Sequence, residues 1–201
     1  MKIIEPSVEL VFQNRERYED YADICNKIER AGRVCYQSEP KGNPEDFIRR
    51  LIKRGHESVL EHASLTFHII CDRAIQNELV RHRLASFSVE STRYVKYDEL
   101  TFIKPDFALD SSEHIWRAYI ENCEIFYSEF IKSGEKPEIT RGLLPLCLKS
   151  EMYMTANIRE WRHILKLRTD SKAHPQMRFV AGLILDIFKK NYPVFVEDFP
   201  S

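Results

Sequence analysis

The chain has 201 residues, 43% of them hydrophobic and 30% charged, with a formal net charge of -1 and a sequence pI of about 6.7. That length suits one domain with a full core, and the composition is that of an ordinary globular protein. The near-neutral balance excludes a broad basic face for nucleic acid, and no apolar run nears the roughly 20 residues that cross a bilayer.

Met1 to Phe12 reads as extended, with Val8, Leu10 and Phe12 alternating. The start Met1-Lys2-Ile3-Ile4-Glu5-Pro6 lacks the apolar stretch of a signal peptide. Tyr18 to Ala31 reads as a helix ending at Gly32. Asn43-Pro44-Glu45-Asp46 is a helix start: a capping Asn, Pro at the first helical position, then acids facing the dipole. That helix turns Phe47, Ile48, Leu51 and Ile52 inward and stops at Gly55.

Ala63 to Asp72 alternates, with Leu65, Phe67, Ile69 and Cys71 on one face, as a half-buried strand does. Ala74 to Arg83 reads as a short helix, followed by an irregular and then extended stretch to Tyr97. Asp110 or Ser111 caps a long helix to about Ile131, with Ile115, Tyr119, Ile120, Cys123, Phe126 and Phe130 as its apolar stripe. Lys136 to Leu144 is a shorter helix closed by Pro145, and Leu146 to Ala156 a strand. Asn157 caps a helix to about Leu167, with Glu160 completing a capping box. Pro175 opens the last helix, whose buried face is Met177, Val180, Ala181, Ile184, Ile187 and Phe188. Strands and helices do not alternate as in a doubly wound fold, so the expected class is α+β, one domain over 1–201.

The five cysteines, Cys25, Cys35, Cys71, Cys123 and Cys147, form no C-x-x-C pair, and an odd number is a poor disulfide framework. Reduced thiols in a cytoplasmic protein are expected. Cys147 has no neighbouring His or Arg to lower its pKa and reads as a small core residue rather than a nucleophile. His56, Glu57, Glu61 and His62 superficially suggest a metal site. The two histidines are six residues apart, so on a helix they diverge, and no metal is expected.

The densest chemistry is Arg81-His82-Arg83, followed by Ser91, Thr92 and Arg93. A single basic residue at a helix C-terminus merely satisfies the dipole. Three in a row, with another Arg ten residues beyond Arg83, add no core and suit a ligand with several phosphates and ring heteroatoms. On a helix these three point about 100° apart and would line two neighbouring pockets.

Arg81-His82-Arg83, Ser91 and Arg93 together resemble the signature R-H-R-x(7)-S-x-R of the flavin-dependent thymidylate synthases. The likeness extends to Arg54-Gly55-His56-Glu57-Ser58 with Glu61-His62, to Arg141 ahead of Leu144-Pro145-Leu146, to Asn157-x-Arg159 and to Leu167-Arg168-x-Asp170-Ser171. It runs from about Arg33 to Tyr192. Many members carry Asn-Glu just before the residue preceding the signature serine; here Ser88-Val89-Glu90-Ser91 puts the acid one place later, leaving Val89 and Glu90 both as carriers of that role. Where many members have Arg-Gln ahead of the triplet, this chain has Asn77-Glu78, and Glu78 accepts but does not donate.

The resemblance implies the thymidylate synthase-complementing protein fold, a small mostly antiparallel sheet packed by several helices. It implies reductive methylation of dUMP to dTMP, with methylenetetrahydrofolate as carbon donor, FAD as cofactor and NADPH as reductant. It assigns FAD contacts to His56, Ser58, Glu61, Arg81, His82, Arg83, Val89, Asn157, Arg159 and His163. It assigns dUMP contacts to Glu78, Arg81, Glu90, Ser91, Thr92, Arg93, Arg141 and Arg168, with Arg168 as the group that activates uracil. It implies a homotetramer with active sites shared between subunits. Two of these residues have local alternatives: Asn157 as a simple helix cap, and Arg168 as an ion-pair partner of Asp170.

Overall fold

The computed structural model describes residues 1–11, 21–35, 37–40, 42–107 and 109–199, with only the backbone at residue 110. Phe12 and residues 18–20, included in the expected first strand and helix, lie outside it. In chain order the strands are β1 (Lys2–Ile4), β2 (Ser7–Val11), β3 (Ser64–Asp72), β4 (Ala85–Val89), β5 (Thr101–Ile103) and β6 (Lys149–Asn157). The α-helices are α1 (Tyr21–Val34), α2 (Pro44–Lys53), α3 (Arg73–Leu79), α4 (Asp110–Lys132), α5 (Pro137–Thr140), α6 (Ile158–Arg168) and α7 (Pro175–Asn191), with 3-10 turns at Glu57–His62, Arg141–Leu143 and Pro193–Phe195. The class is α+β, as expected.

Four strands form a sheet in the order β2-β3-β6-β4, and β1 and β5 pair in parallel, Lys2 opposite Thr101 and Ile4 opposite Ile103. β3 and β6 are antiparallel. The Ile158 N–H bonds the Ala63 carbonyl at 2.9 Å, the Thr66 and Thr155 hydroxyls meet at 2.8 Å, and the Arg73 N–H donates to the Leu148 carbonyl at 3.2 Å, so partners run in opposite order.

Two compact units result. The first comprises Met1–Ser7, Ile69–Arg81 and Phe87–Tyr153; the second comprises Val8–His68, His82–Ser86 and Met154–Ser201. The core of the first is Leu100, Phe102, Trp116, Ile120, Tyr127 and Leu148. In the second, Phe67 of β3 meets the Trp161 ring edge-on at 4.8 Å and stacks on Phe188 of α7 at 5.9 Å. The buried indole N–H donates to the Leu65 carbonyl at 3.0 Å, satisfying the one polar atom that Trp161 brings inside.

Local signals decided several boundaries. Asn43 Oδ1 accepts the Glu45 N–H at 3.0 Å, and Gly55 sits at φ +71° just past α2. Asn157 Oδ1 accepts the Glu160 N–H at 2.8 Å. Other expectations failed for physical reasons. Gly32 does not end α1; it lies inside it, because an added Cβ would stand 2.7 Å from Phe47 Cε1. The glycine permits α1 and α2 to approach, rather than stopping a helix. α3 ends at Leu79 and not at Arg83 as expected, so Arg81-His82-Arg83 is not helical; it follows the helix and leads into β4, which lies in the stretch expected to be irregular and then extended.

The largest miss is in α4. Trp116, Ile120, Cys123 and Tyr127 are its buried face, whereas Ile115, Tyr119, Phe126 and Phe130 of the expected stripe are exposed at 71%, 53%, 56% and 42%. The helix carries two apolar rows, and only one meets the core.

Candidate active site

The residues assigned to the flavin fall mainly in the second unit, and those assigned to dUMP mainly in the first. In the second unit a cleft of about 610 Å³ is lined by Glu57, Glu61, Leu84, Asn157, Arg159, Glu160 and His163. Sequence likeness grouped Glu61, Asn157, Arg159 and His163; α6 and the 3-10 turn Glu57–His62 bring them to one wall. His56 and Ser58 stand exposed at the start of that turn.

The cleft's donors are the Arg159 guanidinium, the His163 ring and the Asn157 amide N–H₂, whose Oδ1 already caps α6. Three carboxyl groups share the wall, and two of them are paired. Glu61 pairs with Arg159 at 2.6 Å and Glu57 with Arg162 at 3.2 Å. Burial pushes the Glu160 pKa up. With two of its acids paired, this donor set fits the anionic and ring-edge parts of a flavin dinucleotide.

Past α3 exposure alternates through a turn: Arg81 and Arg83 face out while His82 is buried, 6% exposed. Arg168 Nε donates to His82 Nε2 at 3.0 Å. Because a guanidinium only donates, that ring nitrogen must accept, and His82 is neutral with its proton on Nδ1. Nδ1 lies 3.7 Å from Glu160 Oε1. Burial, then the charge of Arg168, then His163, lower the His82 pKa to about 4. The His82–Glu160 approach is therefore no ion pair at neutral pH. The His163 ring meets His82 edge-on, centroids 6.1 Å apart. His82 thus fixes the Arg168 side chain from its Nε. Arg168 also lines a cavity of about 390 Å³ with Lys166, Leu167, Asp170, Lys172 and Ala173. In that turn Asp170 Oδ1 accepts the Lys172 N–H at 2.8 Å.

In the first unit, Ser91 and Arg93 share the turn after β4, where the Ser91 carbonyl accepts the Tyr94 N–H at 3.1 Å and the Val95 N–H at 3.0 Å. Arg93 is exposed with its guanidinium 5.4 Å from the Tyr94 ring, and Thr92 is buried. Arg81 and Arg141 are exposed, and Glu78 and Val89 half-buried. Glu90 has protein partners for both carboxylate oxygens: Oε1 accepts from the Tyr97 hydroxyl at 2.5 Å and Oε2 pairs with Lys149 Nζ at 2.7 Å. Cys147 Sγ accepts from the Trp116 indole at 3.4 Å, and burial raises its pKa, as suits an inert thiol.

Sequence reading missed Arg162. Its guanidinium is fully buried and holds Asp198 at 2.7 and 2.8 Å, Glu57 at 3.2 Å and the Phe195 carbonyl. A signal existed: Ile158, Trp161 and Leu165 are the buried row of α6, and position 162 falls on that face.

Among the described residues no three His, Cys, Asp or Glu side chains gather as a metal site, and no helix is long and apolar enough to cross a membrane. Residues 19–194 match the model of the family described as thymidylate synthase complementing protein. A probable flavin-dependent thymidylate synthase of Mycobacterium phage L5 is 35% identical over 199 residues, covering 89% of this chain and 82% of the relative. A flavin-dependent thymidylate synthase of Thermococcus onnurineus (strain NA1) is 36% identical over 154 residues, 73% of this chain and 63% of the relative. The crystal structure of a UMP/dUMP methylase, PolB from Streptomyces cacaoi, bound with 5-Br dUMP, superposes with a TM-score of 0.83 at 28% identity, covering 99% of this chain and 96% of that one. Since the family match spans most of the chain and a relative 35% identical covers 89% of it, the chain belongs to the thymidylate synthase complementing protein family, the flavin-dependent thymidylate synthases.

Proposed function

We propose that this chain converts dUMP to dTMP by reductive methylation, taking the carbon from methylenetetrahydrofolate, and so serves de novo dTMP formation in the cytoplasm. The observation that carries this reading is the cleft lined by Glu61 together with Asn157, Arg159 and His163: Glu61 and Arg159 are 98 residues apart in sequence, and likeness alone had grouped them. When bound there, FAD supplies the hydride that turns a methylene into a methyl group, and NADPH restores its reduced form.

The protein's own work is binding, orientation and charge. Arg159, His163 and Asn157 hold the flavin from α6, with His56, Ser58 and Glu61 on the facing turn and Arg81, His82, Arg83 and Val89 completing the set. Arg81, Arg93 and Arg141 offer guanidinium forks to the dUMP phosphate, and Ser91 orients the nucleotide. C5 of uracil is a weak nucleophile, and a cation against the N3/O2 edge favours the enolate-like form. Arg168 takes that role, its plane set by the bond to His82.

The chain acts as one domain and assembles as a homotetramer with shared sites. Support lies in the solvent-facing apolar residues Ile115, Tyr119, Phe126 and Phe130 along one 23-residue helix. Isolated monomers rarely expose such a patch, and a second copy would cover it. The deciding experiment is tritium release from dUMP labelled at C5, with folate and NADPH supplied to purified yellow protein. Release coupled to dTMP is expected. NADPH oxidation without release would mark a flavoprotein reductase instead.

A further inference from the structure

We infer that Tyr97 and Lys149 are positioning residues for dUMP: they hold Glu90 at the neck of the loop that carries Ser91 and Arg93. The inference rests on the reading of Ser91 and Arg93 as dUMP contacts.

The loop leaves β4 at Glu90 and returns at Tyr97. Among the described residues its tip makes local hydrogen bonds only: Tyr94 and Val95 N–H to the Ser91 carbonyl, and the Arg93 N–H to Ser91 Oγ at 3.4 Å. Its base is tied much more firmly. The Glu90 N–H donates to the Glu151 carbonyl on β6 at 2.8 Å. The Glu90 carboxylate reaches the Tyr97 hydroxyl with one oxygen and Lys149 with the other, and Lys149 also pairs with Glu151 at 2.9 Å. Tyr97 is itself anchored, since its N–H donates to the Tyr127 hydroxyl on α4 at 3.2 Å. Residues 90 and 97 are thus drawn together, and everything between them hangs from that closure.

Burial makes the closure strong. The Glu90 and Lys149 side chains are 14% and 18% exposed. A hydrogen bond to a charged group in such a place is worth more than a neutral one, and leaving that charge unpaired is costly. Burial, and then the bond to Glu90, hold the Tyr97 hydroxyl well above the ordinary phenol pKa, so it remains the donor. Burial works against the Lys149 charge, but Glu90 and Glu151 outweigh it and its pKa rises. The arrangement gives the acid at position 90 a role within the protein. A carboxylate facing a phosphate would repel it; here both oxygens are turned toward protein donors, and the charge is answered before a ligand arrives.

The test is Tyr97→Phe, which keeps the ring packed on Tyr127 at 6.0 Å and removes only the hydroxyl. In the flavin-loaded enzyme, KM for dUMP should rise about tenfold or more, the loss expected for a bond to a buried charge, while kcat stays within about twofold and flavin affinity is unchanged. Lys149→Met should do the same. Hydrogen exchange at the Tyr94 and Val95 amides should quicken about tenfold in Tyr97→Phe even without dUMP. A lower melting temperature with unchanged KM would overturn the proposal, as would unchanged exchange at the loop or a parallel loss of flavin. If the unaltered enzyme fails to bind dUMP while loop exchange still responds, the proposed function fails and the closure stands.

Discussion

Replacing Arg162 by Met tests how the flavin side of the molecule is held. Arg162 carries a charge with no exposure and binds two other chain segments at once: the stretch 195–198, through Asp198 and the Phe195 carbonyl, and Glu57 on the cleft turn. Removing one member of a buried pair costs about 3–5 kcal/mol, because the partners keep their desolvation. Here the lower end applies. Asp198 is 42% exposed and regains water, and Lys166, 3.7 Å from Asp198 and 3.9 Å from Glu57, takes up part of the charge. At roughly 2–4 °C per kcal/mol for a chain of this size, about 3 kcal/mol lowers the melting temperature by about 6–12 °C. Calorimetry on flavin-loaded and flavin-stripped protein measures it. A shift under about 2 °C would mean that the buried guanidinium is dispensable and that the reasoning from its burial is wrong.

Other outcomes follow from the same geometry. The His82 pKa is near 4 in the folded protein, below the ordinary value of about 6.5. The unfolded chain therefore binds the proton more readily between those values, so stability is full above about pH 6.5 and falls as pH drops toward 4. Denaturation at pH 4.5 against 7.5 should show a loss of the order of 2 kcal/mol, and His82→Gln should flatten it; an equal slope in the variant would refute the assignment. Arg168→Ala should keep FAD and lose methylation by orders of magnitude, and undiminished turnover would remove Arg168 from the uracil. Cys147→Ala should keep most activity, whereas a dead enzyme with flavin in place would point to thiol addition at C6 of dUMP.

Much of the fold was legible because its signals are local. Asn43-Pro44, Asn157 and Pro175 announce helices by chemistry within a few residues, and β3 shows its buried face by strict alternation. α4 was not legible in the same way. Periodicity finds two apolar rows but not which one faces the core, since that depends on Leu100, Phe102 and Leu148 arriving from elsewhere. The start of β4 at Ala85 was not fixed, because the helix was read on to Arg83 and the stretch beyond it only as irregular and then extended. The site divides likewise. Arg159 and His163 were found through motif likeness, whereas Arg162, Tyr97 and Lys149 act on partners far along the chain or outside any motif. Glu57 and Arg162 are 105 residues apart, and no window of sequence relates them.

The backbone passes between the two compact units after Ser7, His68, Arg81, Ser86 and Tyr153, and β3 and β6 each belong partly to both. Neither unit corresponds to a continuous stretch of gene. Neither can be excised, shuffled into another protein or expressed as a fragment, so a nonsense or frameshift lesion anywhere before Tyr153 strips chain from both halves together. The two halves are inherited as one indivisible piece, and recombination inside the coding region has no seam at which to exchange one without the other.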